Sequence, residues 1–191
     1  LFCSLDISGI QKFIYTIASK NALRTLRARS FYLEIMMEHI IDTLLERLEL
    51  SRANLIYSGG GHCYLLLANT QKTREVLNTF QKELQSWFLK YFRTELFVAF
   101  GYSVCSGNTF RNVPEGSYAN MFRQASASIS KSKLHRYTAE EIIALNQYRA
   151  DDYTRECKVC KRIGQVDEKG VCPLCRKIEA LSKNVLYDTF F

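Results

Sequence analysis

Proline is nearly absent from this 191-residue chain: only Pro114 and Pro173 occur. No Pro-rich linker therefore separates its parts. Long apolar runs are missing as well; none approaches the ~18 residues of a membrane span, so no membrane partner is expected. No signal peptide is visible, and there is no internal repeat or low-complexity tract. What remains is a chain with 47 % apolar residues, enough to bury a core and too many for disorder. One good core, or one domain with a small appendage, is expected at this length. The chain begins at Leu1 in a strand-like run and ends in the apolar stretch Leu186 to Phe191. Both ends read as cut, so a segment of a larger protein is expected. The net charge of +7 and pI near 9.0 favour an anionic partner, nucleic acid or nucleotide. On charge alone, a basic domain without such a partner stays open.

Periodicity predicts the elements in order. Leu1 to Leu5 read as a buried strand. A helical stretch follows from Ser8, with Ile10, Phe13, Ile14 and Ile17 on one face, interrupted at Lys20-Asn21-Ala22. Ser30 is expected to cap a long helix carrying Leu33, Met37, Ile40, Leu44 and Leu48. Ala53 to Tyr57 and Cys63 to Leu67 flank a glycine-rich turn, a hairpin signal. Thr70 or Thr73 opens a helix with Val76, Leu77, Phe80, Leu84, Trp87, Phe88 and Tyr91 inward. Leu96 to Cys105 reads as a long central strand. The order β-α-β-β-α-β predicts an α+β fold: a four-stranded antiparallel sheet of ferredoxin-like arrangement, two helices on one face. That fold does not decide function. Ser106 to Gly116 reads as a polar loop. Ser117 to Lys133 reads as a further helix with Met121, Phe122, Ala125 and Ile129 inward. Ala139 to Tyr148 and Ile178 to Val185 read as helices.

Four elements carry chemistry. In Asp6-Ile7-Ser8-Gly9, a carboxylate ends a strand where a helix begins. Backbone amides there can face a phosphate, and Asp6 can hold a divalent cation on the same phosphates. Equally, Asp6 can cap the helix and Gly9 relieve a tight approach. In Ser58-Gly59-Gly60-Gly61-His62, three glycines exceed the needs of a two-residue turn. Their bare backbone admits a ribose or triphosphate, with Ser58 adding a hydroxyl and His62 a contact to phosphate or base. A flexible turn and a surface histidine are the plain alternatives. Nucleotidyl cyclases and polymerase palms pair a strand-end Asp with hairpin carboxylates that hold two metal ions. Here Gly61 and His62 stand where those carboxylates would be.

The third element is basic: Lys131, Lys133, His135 and Arg136 at a helix end, able to reach a triphosphate or merely to complement the helix dipole. Lys20, Arg24, Arg27 and Arg29 form another cluster, for phosphate or RNA backbone, or a solvated face. The fourth is the sharpest. Of seven cysteines, Cys3, Cys63 and Cys105 stand singly in apolar runs and read as core. Cys157, Cys160, Cys172 and Cys175 form Cys-x2-Cys-x11-Cys-x2-Cys, two knuckles that suit tetrahedral zinc with no open position. A structural zinc site in a reducing compartment is expected.

Asp6-Ile7-Ser8-Gly9-Ile10-Gln11-Lys12-Phe13-Ile14-Tyr15, Leu26-Arg27-Ala28-Arg29-Ser30-Phe31 and Tyr57-Ser58-Gly59-Gly60-Gly61-His62, in this order before the cysteine pairs, resemble one family. It is the large catalytic subunit of type III-A (Csm) CRISPR–Cas interference complexes, and the resemblance covers essentially the whole chain. It implies an HD nuclease domain, a first palm, a zinc-bearing helical domain, a second palm and a helical C-terminal domain. Residues 1–136 would be the first palm, degenerate and cyclase-like. Residues 137–191 would be part of the helical zinc-ribbon domain. The family cleaves single-stranded DNA through the HD domain and makes cyclic oligoadenylates from ATP when target RNA is recognised. Its partners are the other complex subunits, guide RNA and target RNA, in the cytoplasm. The catalytic Gly-Gly-Asp-Asp hairpin belongs to the second palm and is absent here, so no catalytic residue is expected in this segment.

The resemblance therefore implies one ATP, with its divalent cation, held by Asp6, Ser8, Gly9, Ser58, Gly59, Gly60, Gly61, His62, and Lys131 or Lys133. Two rivals remain. One is an RNA-binding ferredoxin-like module with a zinc ribbon, disfavoured because the apolar strands read as buried on both faces. The other is a degenerate cyclase domain with a purely structural role.

Overall fold

The computed structural model describes residues 1–16, 22–147 and 155–187, with side chains of the last helix described up to residue 181. Strand β1 (Phe2–Ser8) leads to the short helix α1 (Ile10–Tyr15) and the long α2 (Ala22–Arg47). A hairpin of β2 (Leu55–Gly59) and β3 (His62–Leu66) follows, then α3 (Gln71–Phe92) and β4 (Phe97–Ser103). The chain continues through α4 (Gly107–Phe110), α5 (Ser117–Leu134) and α6 (Ala139–Gln147). A two-residue-per-strand hairpin of β5 (Arg155–Glu156) and β6 (Ile163–Gly164) precedes α7 (Pro173–Tyr187). Two compact units result: Leu1–Gly9 with Met36–Tyr137, and Ile10–Ile35 with Thr138–Phe191. The linear reading set 1–136 apart from 137–191; compactness instead groups residues 10–35 with the later segment.

In the first unit the sheet order is β2-β3-β1-β4, and every neighbouring pair is antiparallel. That is the order a ferredoxin-like β-α-β-β-α-β chain requires. Register assigns the faces. Phe2, Ser4, Asp6 and Ser8 lie opposite Ser103, Gly101, Ala99 and Phe97, so these eight share one face. Cys3, Leu5 and Ile7 share the other with Val98, Phe100, Cys63 and Leu65, all buried. Phe100 meets Phe80 of α3 edge-on at 6.2 Å, and Ser58 of β2 reaches Glu38 of α2. Both helices therefore lie on that second face. The first face is covered by α5 over β1 and β4: Met121 and Ala125 pack with Phe2, and Ile129 with Phe97 and Ala99, while Phe122 reaches Tyr64 of β3. At Gly101 an added Cβ would stand 2.6 Å from the Ile129 nitrogen and 2.8 Å from the Ala125 oxygen.

Several sequence expectations change. β4 is an edge strand of the sheet, although it read as central. Cover from α3 on one face and α5 on the other buries it without a second strand neighbour. Ser30 lies inside α2 and caps nothing; Ala22 to Arg29 are good helix formers, so the helix begins earlier. Thr70 is the cap of α3, accepting from the Thr73 amide at 3.2 Å. Trp87 and Tyr91, expected inward, are 38 % and 48 % exposed. Cys3 and Cys63 are core residues, whereas Cys105 is only partly buried. Ile17, Lys20 and Tyr148 lie outside the described residues. Among the described residues no helix is long and apolar enough to cross a membrane.

Candidate functional site

Asp6 lies within β1, paired on one side with His62 and on the other with Ala99. Direct cross-strand neighbours share a face, so the His62 ring falls against the Asp6 carboxylate, Nδ1 to Oδ2 3.3 Å. The other oxygen, Oδ1, meets Lys133 Nζ at 2.8 Å and the Ser8 hydroxyl at 3.5 Å. Lys133 gets there by helix periodicity. Met121, Ala125 and Ile129 run along the sheet at intervals of four, and Lys133 is the next member of that stripe. Lys131 projects off the stripe and is exposed.

Burial pushes the Asp6 carboxyl up, but the hydrogen bonds from His62 and Lys133 outweigh it and hold the pKa below its ordinary value of 3.8. Asp6 is thus an anion with two cationic or polar donors already in place. Behind them, Ser4 Oγ lies 3.2 Å from His62 Nε2. With Nδ1–H donating to Asp6, Nε2 accepts from the Ser4 hydroxyl, which sets the tautomer. The Ser4-His62-Asp6 chain has the connectivity of a nucleophilic triad, but Ser4 is 3 % exposed. No substrate carbonyl reaches it, so the serine orients the ring.

The glycines divide by role. Gly60 and Gly61 form the two-residue loop between the closing pair Gly59 and His62, with φ of +62° and +79°. Positive φ at both centres is what a tight hairpin of this type needs. The turn itself thus uses two of the three glycines. Gly60 remains open above, with nothing within 4 Å of an added Cβ. Gly61 is buried and its carbonyl accepts from Ile7 N at 2.8 Å. Gly9, at φ +92°, would drive a Cβ to 1.9 Å from the Glu95 carbonyl oxygen. Its role in packing is therefore direct, and α1, with six residues, is too short to act as an anion-binding helix end.

Ser58 turns to the opposite face, where its hydroxyl donates to Glu38 at 2.8 Å. Glu38 also pairs with Arg52, which reaches Asp42 at 2.7 Å. Asp6, Ser8, His62 and Lys133 are brought together beside the turn; Ser58 and Lys131 are not. Sequence reading missed Ser4, Tyr57 and Tyr64. Tyr57 is 52 % exposed, and Tyr64 stacks on Phe2 with centroids 4.9 Å apart and meets His62 edge-on. The expectation of a sheet buried on both faces fails over β2 and part of β3: α5 reaches Tyr64 through Phe122 but leaves Tyr57 and Leu66 exposed. The polar alternation Ser4, Asp6, Ser8 was the signal for a face that is not purely core.

Among the described residues, the one cluster of three or more metal-capable side chains is Cys157, Cys160, Cys172 and Cys175. Asp6 and His62 belong to no such group. The four sulfurs lie within 4.8 Å of one another, three of the four cysteines are buried, and none forms a disulfide. Cys160 and Cys172 sulfurs are 3.7 Å apart. A tetrahedron with metal–sulfur bonds of ~2.3 Å has edges of about 3.8 Å, so the set fits such an ion. Lys161 takes φ +64° and donates its amide to the Cys157 carbonyl, closing the first knuckle. The Cys172 amide donates to Cys157 Sγ at 3.3 Å. Hydrogen bonds among the thiols drive Cys172 well below an ordinary thiol and push Cys160 up to about 12.

Of the second basic cluster, Arg29 is buried at 2 % exposure and is no part of a solvated face. Arg27 is exposed and Arg24 half-buried.

Comparison with known proteins gives the family of the chain. Residues 1–148 match the family described as Csm1 subunit domain B. A relative from Enterococcus italicus, the "CRISPR system single-strand-specific deoxyribonuclease Cas10/Csm1 (subtype III-A)", is 45 % identical over all of this chain and 25 % of its own length. A Csm1-Csm4 cassette crystallised with one ATP superposes at TM-score 0.66 with 31 % identity, covering 78 % of this chain and 20 % of that one. The cassette in complex with cA3 superposes at 0.66 with 32 % identity, covering 76 % and 20 %. The chain spans about a quarter of the length of the curated relatives it matches. The match over residues 1–148, the whole-chain identity and the shared antiparallel sheet lead to one conclusion: the chain belongs to the Cas10/Csm1 family of subtype III-A, with residues 1–148 in domain B of that subunit.

Proposed function

We propose that this segment is a nucleotide-binding, non-catalytic palm of a type III-A large subunit. It holds one ATP over β1 and the β2–β3 turn, facing a catalytic palm elsewhere in the parent. The observation that carries this reading is the Lys133–Asp6–His62 group at the margin of α5, where Lys133 reaches Asp6 of β1 and His62 of β3 lies beside it. Lys133 offers a cationic contact to a triphosphate, His62 holds the Asp6 carboxylate beside it and would have to release Ser4 or Asp6 to contact the ligand itself, and the open Gly60 backbone admits it closely. Tyr57 and Tyr64 give the same face an aromatic surface. The relative solved with ATP supports a nucleotide as the ligand.

The parent is proposed to cleave single-stranded DNA through an HD domain and to make cyclic oligoadenylates from ATP on target RNA recognition, in the cytoplasm. Its proposed partners are a Csm4-type subunit, the other subunits, guide RNA and target RNA. The segment lacks the chemistry for adenylyl transfer. Two-metal catalysis needs several carboxylates, and the hairpin contributes none, so a divalent cation would arrive with the nucleotide. Ser58 is removed from the proposed contacts by its orientation. The four cysteines are proposed to hold one structural zinc ion, with no open coordination position. The palm is proposed to comprise residues 1–9 and 36–137.

The test uses the intact subunit. Lys133→Ala should weaken ATP binding by about 10-fold or more, the value of a charge-assisted hydrogen bond, and Gly60→Trp should abolish it. Both should suppress oligoadenylate synthesis and spare single-stranded DNA cleavage. Normal synthesis by the Gly60 variant would overturn the reading. Crosslinking of RNA to Tyr57 or Tyr64, with ATP binding unaffected in either variant, would favour an RNA-stacking face instead.

A further inference from the structure

Arg29 carries a charge into the interior of the second unit, and among the described residues no carboxylate meets it. Its guanidinium donates to the carbonyl oxygens of Phe13 and, at 2.7 Å, Thr16, at the end of α1. It lies over the Phe13 ring, 5.1 Å from the centroid. Its remaining direction is taken by Cys175 Sγ at 3.7 Å. Two carbonyls, a ring face and a sulfur do not neutralise a cation. A charge this deeply buried is stable only beside an opposite one. The cysteine cluster supplies it: four thiolates around a divalent ion carry a formal net charge of −2. The same fork that closes α1 therefore touches a sulfur that would ligate the metal.

We propose that Arg29 is a positioning residue of the metal centre. Its guanidinium serves as counter-ion to the metal–thiolate unit, and a bound zinc ion thereby fastens residues 10–16 and 22–35 to the cysteine module. The inference rests on the reading of the four cysteines as a zinc site. It assigns to the metal a role beyond its own two knuckles: it orders a segment more than a hundred residues upstream.

The experiment uses the intact subunit purified with its metal. Zinc content is measured first by elemental analysis; absence of zinc would remove the metal reading and this inference with it. With zinc present, release to a chromogenic chelator is timed for the parent protein, Arg29→Lys and Arg29→Met. Loss of an outer-shell partner commonly costs 10–100-fold in metal affinity. Arg29→Met should therefore release zinc roughly 10-fold faster or more. Arg29→Lys, which keeps the charge and loses the fork, should fall between. A second arm needs no variant and decides the matter should Arg29→Met fail to fold. Stripping zinc from the parent protein should speed amide hydrogen exchange at residues 10–16 and 22–35 by at least about 10-fold, with β1 and β4 as internal reference. Unchanged exchange there, or a folded Arg29→Met that releases zinc at the parent rate, would overturn the inference. In that case Arg29 merely caps α1.

Discussion

Gly101→Ala is the most direct test of how the sheet positions Lys133. The new methyl would lie 2.6 Å from the Ile129 nitrogen and 2.8 Å from both the Ala125 oxygen and an Ile129 side-chain carbon, where ordinary contact begins at 3.4 Å. Two of these three atoms are helix backbone, so no rotamer change removes the clash. Helix α5 must rise by about 0.8 Å or the strand must bend, because close-packed interiors leave no slack. Overpacking of this kind costs about 2 kcal/mol, or roughly 4–8 °C in Tm for a chain of this size. The φ of Gly101 is not in the left-handed region, so backbone strain adds nothing. One turn beyond Ile129, the 2.8 Å contact of Lys133 with Asp6 would stretch towards about 3.6 Å, past hydrogen-bonding range. The flexible lysine stem recovers part of this, and solvent screens a pair about one-third exposed. ATP affinity should fall about two- to five-fold. The assay is thermal melting with an ATP titration, and Gly107→Ala is the control. An added Cβ at Gly107 meets nothing within 4 Å, so that change should be neutral or stabilising. A Gly101→Ala protein that melts within about 1 °C of the parent would refute the argument.

Three further outcomes are expected. Cys160→Ser should release zinc and lower the melting of the second unit, residues 10–35 and 138–191, while the sheet unit keeps its transition; elemental analysis with calorimetry checks this, and loss of both transitions together would contradict it. Asp6 has a depressed folded pKa, so its stabilisation is complete above its ordinary value of 3.8 and fades as pH falls through the folded value. Lys133→Met removes one cause of that depression and leaves burial in place, so acid unfolding should begin at higher pH than in the parent, followed by circular dichroism. The 191-residue segment by itself should bind ATP weakly and turn none over; thin-layer separation of labelled products would show any oligoadenylate, and its appearance would end the non-catalytic reading.

The strand and helix order was legible because period-2 and period-3.6 patterns are local. Sheet position was not: β4 reads as central because two helices bury it, and hydrophobicity alone does not distinguish a helix from a strand as cover. The cysteine cluster was fully legible, since ligand spacing is itself local. The Asp6 group was half legible. Asp6 and His62 stood out as residue types, but their contact depends on the β1–β3 register, a long-range property. Lys133 could have been separated from Lys131 by extending the Met121, Ala125, Ile129 stripe by four. Ser58 could equally have been excluded: period-2 alternation in β2 puts it on the face opposite Tyr57. Gly9 looked like a phosphate contact or a packing relief, and only the position of the Glu95 carbonyl shows the second.

The interleaving of the two units has a consequence for the ribosome. Residues 10–35 leave the exit tunnel early, yet the Cys175 sulfur that Arg29 meets is 146 positions later. At 5–20 residues per second that is a wait of about 7–30 s. Throughout it, Phe13 and the first half of α2, residues 22–35, have no finished unit to join. The first unit also closes only when residue 137 has emerged, because α5 completes it. A nascent chain halted near position 137 would therefore hold one finished sheet unit and one unpartnered segment, residues 10–35, a substrate for chaperones during synthesis. Slow codons between 137 and 172 would lengthen that exposure, whereas the same codons after 175 would not.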